Sequence, residues 1–284
     1  MMRVKERAKD TLAVGHFAWR LPVYWRLFQS QRLRWAGHLP YDTLFFDKKT
    51  HFRGPDLTTG HEIFESMLFE RSGYREAKGF LRLAAGCSRF VDLGASGGYF
   101  SALFAASRES CRILSIEPDP PSFAAVQSTR EKNLRPSICW DCDDRGAGAE
   151  EGTTRVRLSG YGLGIAPVDG EVGVCSYEMR TATLEALCRD HNIVPDLIKF
   201  DVESMEYEVI LSSAKWLQEV RPRLHLELHT PILRSRGLDE ESILKVLDEI
   251  GYRLYDAPKH SLAKLRRKIP ADKIIRLDLI APLP

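Results

Sequence analysis

The sequence predicts an α/β protein: a doubly wound, mostly parallel seven-stranded sheet with an antiparallel last strand, preceded by an N-terminal helical extension. Three observations carry this. From residue 61 onward, short apolar runs alternate with helical stretches, as a parallel sheet covered on both faces requires. A tight turn of small residues follows the first run, and no convincing helix separates the last two runs.

The elements follow in order. Residues 1–60 form a basic, aromatic extension, and the main domain covers residues 61–284. Ile63, Phe64, Met67, Leu68, Phe80, Leu81 and Leu83 predict a helix from Glu62 to Leu83, broken near Gly73 and closed by Gly86. Strands are predicted at 90–93, 112–116, 137–142, 197–201 and 224–228. Asp119 caps the helix after the second strand, and Pro120 suits its first turn. Another helix begins after Asp239 and stops at Gly251, with Ile243, Leu244, Leu247 and Ile250 on one face. Two closing strands at 252–255 and 274–280 flank a basic loop with Lys264, Arg266, Arg267 and Lys268. Between the third and fourth strands lies an excursion with short strands at 154–158 and 172–176 around a glycine-rich turn, expected to lie over the active-site edge.

Composition narrows the classes without naming a partner. The 284 residues suffice for one large two-sided core, and 44% hydrophobic with 28% charged residues excludes a disordered chain or an integral membrane protein. Six cysteines, at 87, 111, 139, 142, 175 and 188, lie mostly in apolar runs and suggest a reducing compartment. Cys139-x-x-Cys142 lacks a second ligand pair and sits on a strand, so it carries neither a metal nor a redox role. No export signal is expected. Up to Pro40 the chain holds eight Lys or Arg against Glu6 and Asp10, interleaved with aromatics. An amphipathic layer packed on the domain is favoured over peripheral contact with an anionic membrane, and the expected location is cytoplasmic.

The chemistry is written at the first strand. Phe90-Val91-Asp92-Leu93-Gly94-Ala95-Ser96-Gly97-Gly98-Tyr99-Phe100-Ser101 ends a strand, turns tightly and opens a helix, with Gly94, Ala95, Ser96 and Gly98 small enough for a ligand to approach the backbone. Asp92 would repel the pyrophosphate of NAD but suits a cationic amino-acid moiety, and S-adenosyl-L-methionine carries a sulfonium and an ammonium with no phosphate. Glu117 ends the second strand 23 residues after Gly94, near the spacing at which an acid in such folds takes ribose hydroxyls. Capping of neighbouring helices is the structural alternative for both acids. Beyond the third strand, Asp143 and Asp144 are candidates to accept from the adenine amino group, with Asp144 the chosen site residue.

The second block is Asp196-Leu197-Ile198-Lys199-Phe200-Asp201-Val202-Glu203-Ser204-Met205-Glu206, followed by Arg221-Pro222-Arg223-Leu224-His225-Leu226-Glu227-Leu228-His229. Together with the Asp92 turn, Glu117-Pro118 and Thr183-Leu184-Glu185, in that order, it resembles the FkbM family of S-adenosylmethionine-dependent methyltransferases, over roughly residues 60 to 280. The resemblance implies a class I Rossmann-like fold and methyl transfer to an oxygen, usually a hydroxyl of a small molecule or glycan. Ser204 departs from the family, which usually has Gly there. If that Gly allows a backbone turn, Ser204 implies altered geometry.

Asp201 ends the fourth strand at the switch point where doubly wound sheets bind ligands, and it is the first catalytic candidate. Glu203 and His229 are the candidate bases. Asp201, Glu203 and Glu227 are hard-oxygen groups of the kind divalent ions choose, but they lack a recognisable ligand spacing and no metal is assigned. Lys199 is read as an ion-pair partner of these acids, and Glu206 as a first-turn Glu that complements a helix dipole. A nucleic-acid methyltransferase or binder and an NAD-dependent dehydrogenase are the competing classes. The first is disfavoured by a formal net charge of +2 and the absence of an N-P-P-Y motif, the second by Asp92.

Overall fold

A computed structural model of the chain describes residues 43–45, 51–53, 71–158, 165–167, 176–262, 265, 270 and 272–282. The described elements are β1 (Thr43–Phe45), β2 (His51–Arg53), α1 (Arg71–Leu83), β3 (Arg89–Leu93), α2 (Tyr99–Ala106), β4 (Cys111–Ile116), α3 (Pro120–Asn133) and β5 (Ile138–Asp143). An excursion follows with β6 (Gly146–Ala147), β7 (Gly152–Leu158), β8 (Ile165–Pro167) and β9 (Ser176–Ala182). The chain then runs through α4 (Leu184–Asp190), β10 (Leu197–Phe200), α5 (Glu206–Ser212), α6 (Ala214–Val220), β11 (Arg223–Leu228), α7 (Thr230–Ser235), α8 (Glu240–Glu249), β12 (Arg253–Leu254) and β13 (Ile275–Ile280).

Seven strands form the main sheet in the order β12-β13-β11-β10-β3-β4-β5. β3, β4, β5, β10 and β11 pair in parallel, and β13 runs antiparallel to both β11 and β12. The predicted fold class is therefore the observed one. β4 and β5 wind out on one side of β3, and β10 and β11 on the other, so the order reverses between β3 and β10. At such a reversal the flanking connections leave in opposite directions and open a crevice beyond the carboxyl ends of the strands.

Local side-chain caps start three of the described helices. Asp119 accepts from Ser122 N, Thr183 from Ala186 N and Asp239 from Ser242 N, each supplying one of the acceptors that a helix start lacks. α2 is buried along nearly its whole length and packs with α1 on one face of the sheet. There Phe80 meets Phe90, Phe100 and Phe104 edge-on, contacts worth about 0.5–1.5 kcal/mol each beyond the buried area. On the other face α4, α5, α6 and α8 bury Leu187, Val209, Ile210, Leu217, Ile243, Leu244 and Leu247 against the strands.

Some expectations need correction. α1 begins at Arg71 and includes Gly73 in its first turn, so the helix expected from Glu62 is described only from Arg71 onward. The expected strand at 172–176 lies instead at Ser176–Ala182, where its backbone pairs with β7 from Gly152↔Thr181 to Arg157↔Ser176; residues 172–175 lie outside the described residues. The part of the N-terminal extension that is described is not helical: β1 and β2 pair antiparallel, with Leu44 opposite Phe52. The rest of residues 1–60, the first part of the predicted first helix, and the basic residues Lys264 and Arg266–Lys268 lie outside the described residues.

Two backbone features shape the switch point. Gly94 has φ +73, and a Cβ there would stand 1.8 Å from the carbonyl oxygen of Asp201, so the ends of β3 and β10 meet only because Gly94 has no side chain. Past β10 the chain turns through Glu203 (φ 49) and Ser204 (φ 80), two successive left-handed residues. The turn is therefore kept although Ser replaces the family's Gly, at a backbone cost of about 1–2 kcal/mol for a residue with a Cβ. Arg236 holds the strained residue, donating to Ser204 O (2.9 Å) and Ser204 Oγ (3.1 Å) while pairing with Glu208.

Comparing Ser204→Gly with Ser204→Ala isolates the strain, since both lack the hydroxyl. The glycine variant should be more stable by about 1 kcal/mol in urea denaturation. Equal midpoints, or a more stable alanine variant, would show that the turn stores no strain.

Candidate functional site

The crevice at the reversal is a cleft with about 450 Å³ of empty space, part of it open to solvent. Gly94 lines it from the end of β3, Ile116, Glu117 and Pro118 from the end of β4, and Asp201, Val202, Glu203 and Met205 from the segment after β10. Gly146, Ala147 and Met179 of the excursion complete the wall, in accord with the expectation that this insertion lies over the site edge. Among the described residues lining the cavity, three are acids and none is Lys, Arg or His. The wall thus repels anions and attracts cations.

Glu117 is 6% exposed. Its Oε2 accepts from Ser96 N at 2.7 Å and its Oε1 from Asp119 N at 3.0 Å, which fixes the carboxyl plane at the cavity rim. Burial outweighs these two bonds and pushes its pKa up to about 7. Each oxygen keeps a lone pair for a hydroxyl donor. Ser96 reaches this bond through a left-handed backbone (φ 50), and Ala95 N and Gly94 N both donate to Ile116 O. Gly98, at φ +82, opens α2 with its Cα against Thr129. Ala95, Ser96 and Gly98 shape the turn and do not line the cavity.

Asp92 does not line it either. It is fully buried on β3, its Oδ2 accepting from Ser101 Oγ at 2.7 Å and its Oδ1 standing 3.6 Å from Lys199 Nζ. The cation expected beside Asp92 comes from within the protein. The register explains this, because Lys199 lies directly opposite Asp92 on the neighbouring strand. Lys199 Nζ also donates to Gly94 O (3.1 Å) and pairs with Asp201 Oδ2 (3.0 Å), as its reading as an ion-pair partner anticipated. Asp144 needs the same correction. It is exposed and paired with Arg180 at 2.6 Å, while Asp143 is enclosed by Arg145 and His191 and held down to about 2 by those bonds. Both side chains already have basic partners and stay out of the cavity wall.

Behind Asp201 lies a cluster that the sequence suggested only in part. His229 is 3% exposed, with Nδ1 2.7 Å from Glu206 Oε1. Its Nε2 faces Asp201 Oδ1 at 3.6 Å, Glu203 Oε2 at 3.7 Å and Glu227 Oε1 at 3.8 Å. Burial opposes the imidazolium, but the Glu206 bond and the ring of carboxylates raise its pKa to about 9. Burial likewise opposes the Asp201 carboxylate, yet Lys199 and His229 hold its pKa below the ordinary value. Glu227 is braced from behind by Arg276, through Nε at 2.8 Å and Nη2 at 3.0 Å, and burial together with Asp201 raises it to about 7.

Of the residues singled out in the sequence, Gly94, Glu117, Asp201 and Glu203 line this one cavity. The sequence reading placed Glu206 in the first turn of a helix, where it lies, but missed its full burial as the partner of His229. It also missed Arg276, whose alternation with Asp278 on β13 was the available signal. Among the described residues no helix is long and apolar enough to cross a membrane.

Several solved structures are similar to the chain. A methyltransferase FkbM from Methylobacillus flagellatus KT is 19% identical, with a TM-score of 0.38, covering 56% of this chain and 37% of that one. A precorrin-6y C5,15-methyltransferase from Geobacter metallireducens GS-15 is 14% identical, with a TM-score of 0.38 over 62% of this chain and 70% of that one. TYW2 from P. horikoshii in complex with MeSAdo is 14% identical, with a TM-score of 0.35 over 75% of this chain and 63% of that one. The chain thus spans just over a third of the length of the first of these. No curated protein sequence matches it. The sequence profile of the methyltransferase FkbM domain matches residues 92–254, which is more than half of the chain and runs from the first strand of the site past its last acid. With the fold and the order of motifs in agreement, the chain belongs to the FkbM methyltransferase family.

Proposed function

We propose that this methyltransferase uses S-adenosyl-L-methionine to methylate a hydroxyl of a small-molecule or glycan acceptor. The observation that carries the reading is the cavity wall, which holds Glu117, Asp201 and Glu203 and, among the described residues, no basic one. Such a wall fits a cationic donor and opposes the pyrophosphate of a dinucleotide. It replaces Asp92, whose charge Lys199 already answers, as the ground for preferring this donor over NAD.

Glu117 would hold the donor by accepting from its ribose hydroxyls, and Gly94 would let it lie against the backbone. The donor supplies an electrophilic methyl carbon on a sulfonium. Transfer to an oxygen sets free the hydroxyl proton, and the chain must take it up. Glu203 lines the cavity, whereas His229 stands behind Asp201 with Nδ1 committed to Glu206, so Glu203 is the base on geometry. Asp201, fixed by Lys199, orients the acceptor hydroxyl at the cavity wall. Gly146, Ala147 and Met179 of the excursion complete the wall, and their apolar surface would help keep water from the reacting atoms.

Isothermal titration should give binding of S-adenosylhomocysteine and none of NADH; the reverse result would overturn the donor assignment. With a labelled methyl group and cell extract as acceptor source, Glu203→Gln should lower transfer about 100-fold while leaving S-adenosylhomocysteine binding intact. Undiminished transfer would remove Glu203 from the base role.

Glu117 adds a pH dependence. Its pKa lies raised at about 7, with Asp119 adding to the rise and Lys199 opposing it. Donor hydroxyls favour the charged carboxylate and protons compete with them, so affinity is full above that value and falls as pH drops through it. Binding of S-adenosylhomocysteine should strengthen about tenfold from about pH 6 to about pH 8, and Glu117→Gln should flatten the rise. A profile that Glu117→Gln leaves unchanged would place the ribose elsewhere.

A further inference from the structure

We infer that Asp201, Glu227 and His229 form a binding site for a divalent transition-metal ion, open toward the cavity. One donor atom from each of the three lies within 4.8 Å of the others.

The orientation of each group supports the site. Asp201 gives Oδ2 to Lys199 and turns Oδ1 toward His229 Nε2; Glu227 accepts from Arg276 on both oxygens, and its Oε1, which accepts from Nη2, is also the oxygen that faces His229 Nε2. Cations behind these two carboxylates thus hold them facing a common centre. His229 is 3% exposed and its Nε2 aims into that centre, yet its nearest oxygens stand 3.6, 3.7 and 3.8 Å away, too far for a hydrogen bond. These spacings approach a coordination shell. With metal–ligand bonds of roughly 2.0–2.2 Å, neighbouring ligands lie roughly 3.0–3.5 Å apart, so the His229 contacts close by a few tenths of an ångström, while the three donor atoms together span 4.8 Å at most.

Behind the ring lies the arrangement that metal-bound histidines characteristically have. Nδ1 is held at 2.7 Å by the carboxylate of Glu206, which is fully buried and has a second oxygen, Oε2, without a hydrogen-bond partner. Such an outer carboxylate fixes the ring and leaves the other nitrogen to the ion. The charges point the same way: Asp201, Glu203, Glu206 and Glu227 surround the centre, and a bound cation would take over from the His229 proton in balancing them. A nitrogen donor with two carboxylates suits Mn²⁺ or Zn²⁺ better than the all-oxygen preference of Mg²⁺ or Ca²⁺. On binding, the ion takes the Nε2 lone pair, and the proton that Nε2 carried leaves to solvent.

Asp201 belongs both to this set and to the cavity wall. Three protein ligands leave positions open on the cavity side, where an acceptor with a hydroxyl next to a second oxygen can chelate the ion and lose its proton more readily. This role rests on the methyl-transfer reading, but metal binding itself does not, and it is measured without donor or acceptor.

The test is titration of the full chain, stripped with a chelator, with Mn²⁺ alone, reading free Mn²⁺ by electron paramagnetic resonance. One ion per chain is expected. Asp201→Asn and His229→Gln should each abolish the site, Glu206→Gln should weaken it about 10- to 100-fold, and Asp144→Asn on the surface should leave it unchanged, with folding of each variant verified by circular dichroism. No stoichiometric Mn²⁺ on the folded wild-type chain overturns the proposal. So does binding that persists in Asp201→Asn and His229→Gln, and should either variant fail to fold, Glu206→Gln decides by the same criterion. S-adenosylhomocysteine titrated into the metal-free chain tells this failure from failure of the donor assignment.

Discussion

The site depends on one buried ammonium. Lys199 is 3% exposed, and its Nζ reaches Asp92 on one side, Asp201 on the other and the carbonyl of Gly94 between them. It also sits 5.4 Å from the centre of the Phe100 ring on α2. A buried charge without partners costs several kcal/mol, and removing one partner of a buried pair costs about 3–5 kcal/mol. Lys199 therefore ties the ends of β3 and β10 together at the point where the sheet order reverses. The same contact keeps Asp201 anionic at the cavity wall.

That pair is part of a wider pattern set by strand register. Ser115, Asp92, Lys199, His225 and Asp278 lie opposite one another across β4, β3, β10, β11 and β13. His225 joins the row to Asp278 at 2.6 Å, and Trp140 Nε1 closes its other end on Ser115 Oγ at 2.8 Å. Two residues nearer the carboxyl ends, Glu227 stands opposite Arg276. The first row is an internal brace under the aromatic layer of α1 and α2, and the second forms the floor behind the cavity. Because side chains alternate across a strand, Asp201 and Glu227 belong to the second level and Lys199 to the first. The carboxylates of the site are thus positioned by groups one level deeper in the sheet.

What the sequence made legible was local. The capping residues Asp119 and Asp239, the turn at Gly94, and the apolar runs of the strands act over a few residues, and the structure bears them out. The ends of β4 and β10 were legible too, so Glu117, Asp201 and Glu203 were assigned to one crevice before their distances were known. Pairings made across the fold were not legible. Asp92 reads as a ligand acid until Lys199 is found opposite it, Glu206 as a dipole residue until His229 reaches it, and Asp144 as an adenine acceptor until Arg180 takes it. In each case the partner lies far away in the chain, and only strand register or a loop path brings the two together.

The most direct test is a crystal structure of the chain grown with S-adenosylhomocysteine. The account predicts the ligand in the cavity beyond β3 and β4, its ribose hydroxyls on Glu117 and its sulfur facing the Asp201 and Glu203 segment. A ligand bound outside this crevice, or with its ribose turned away from Glu117, would contradict it.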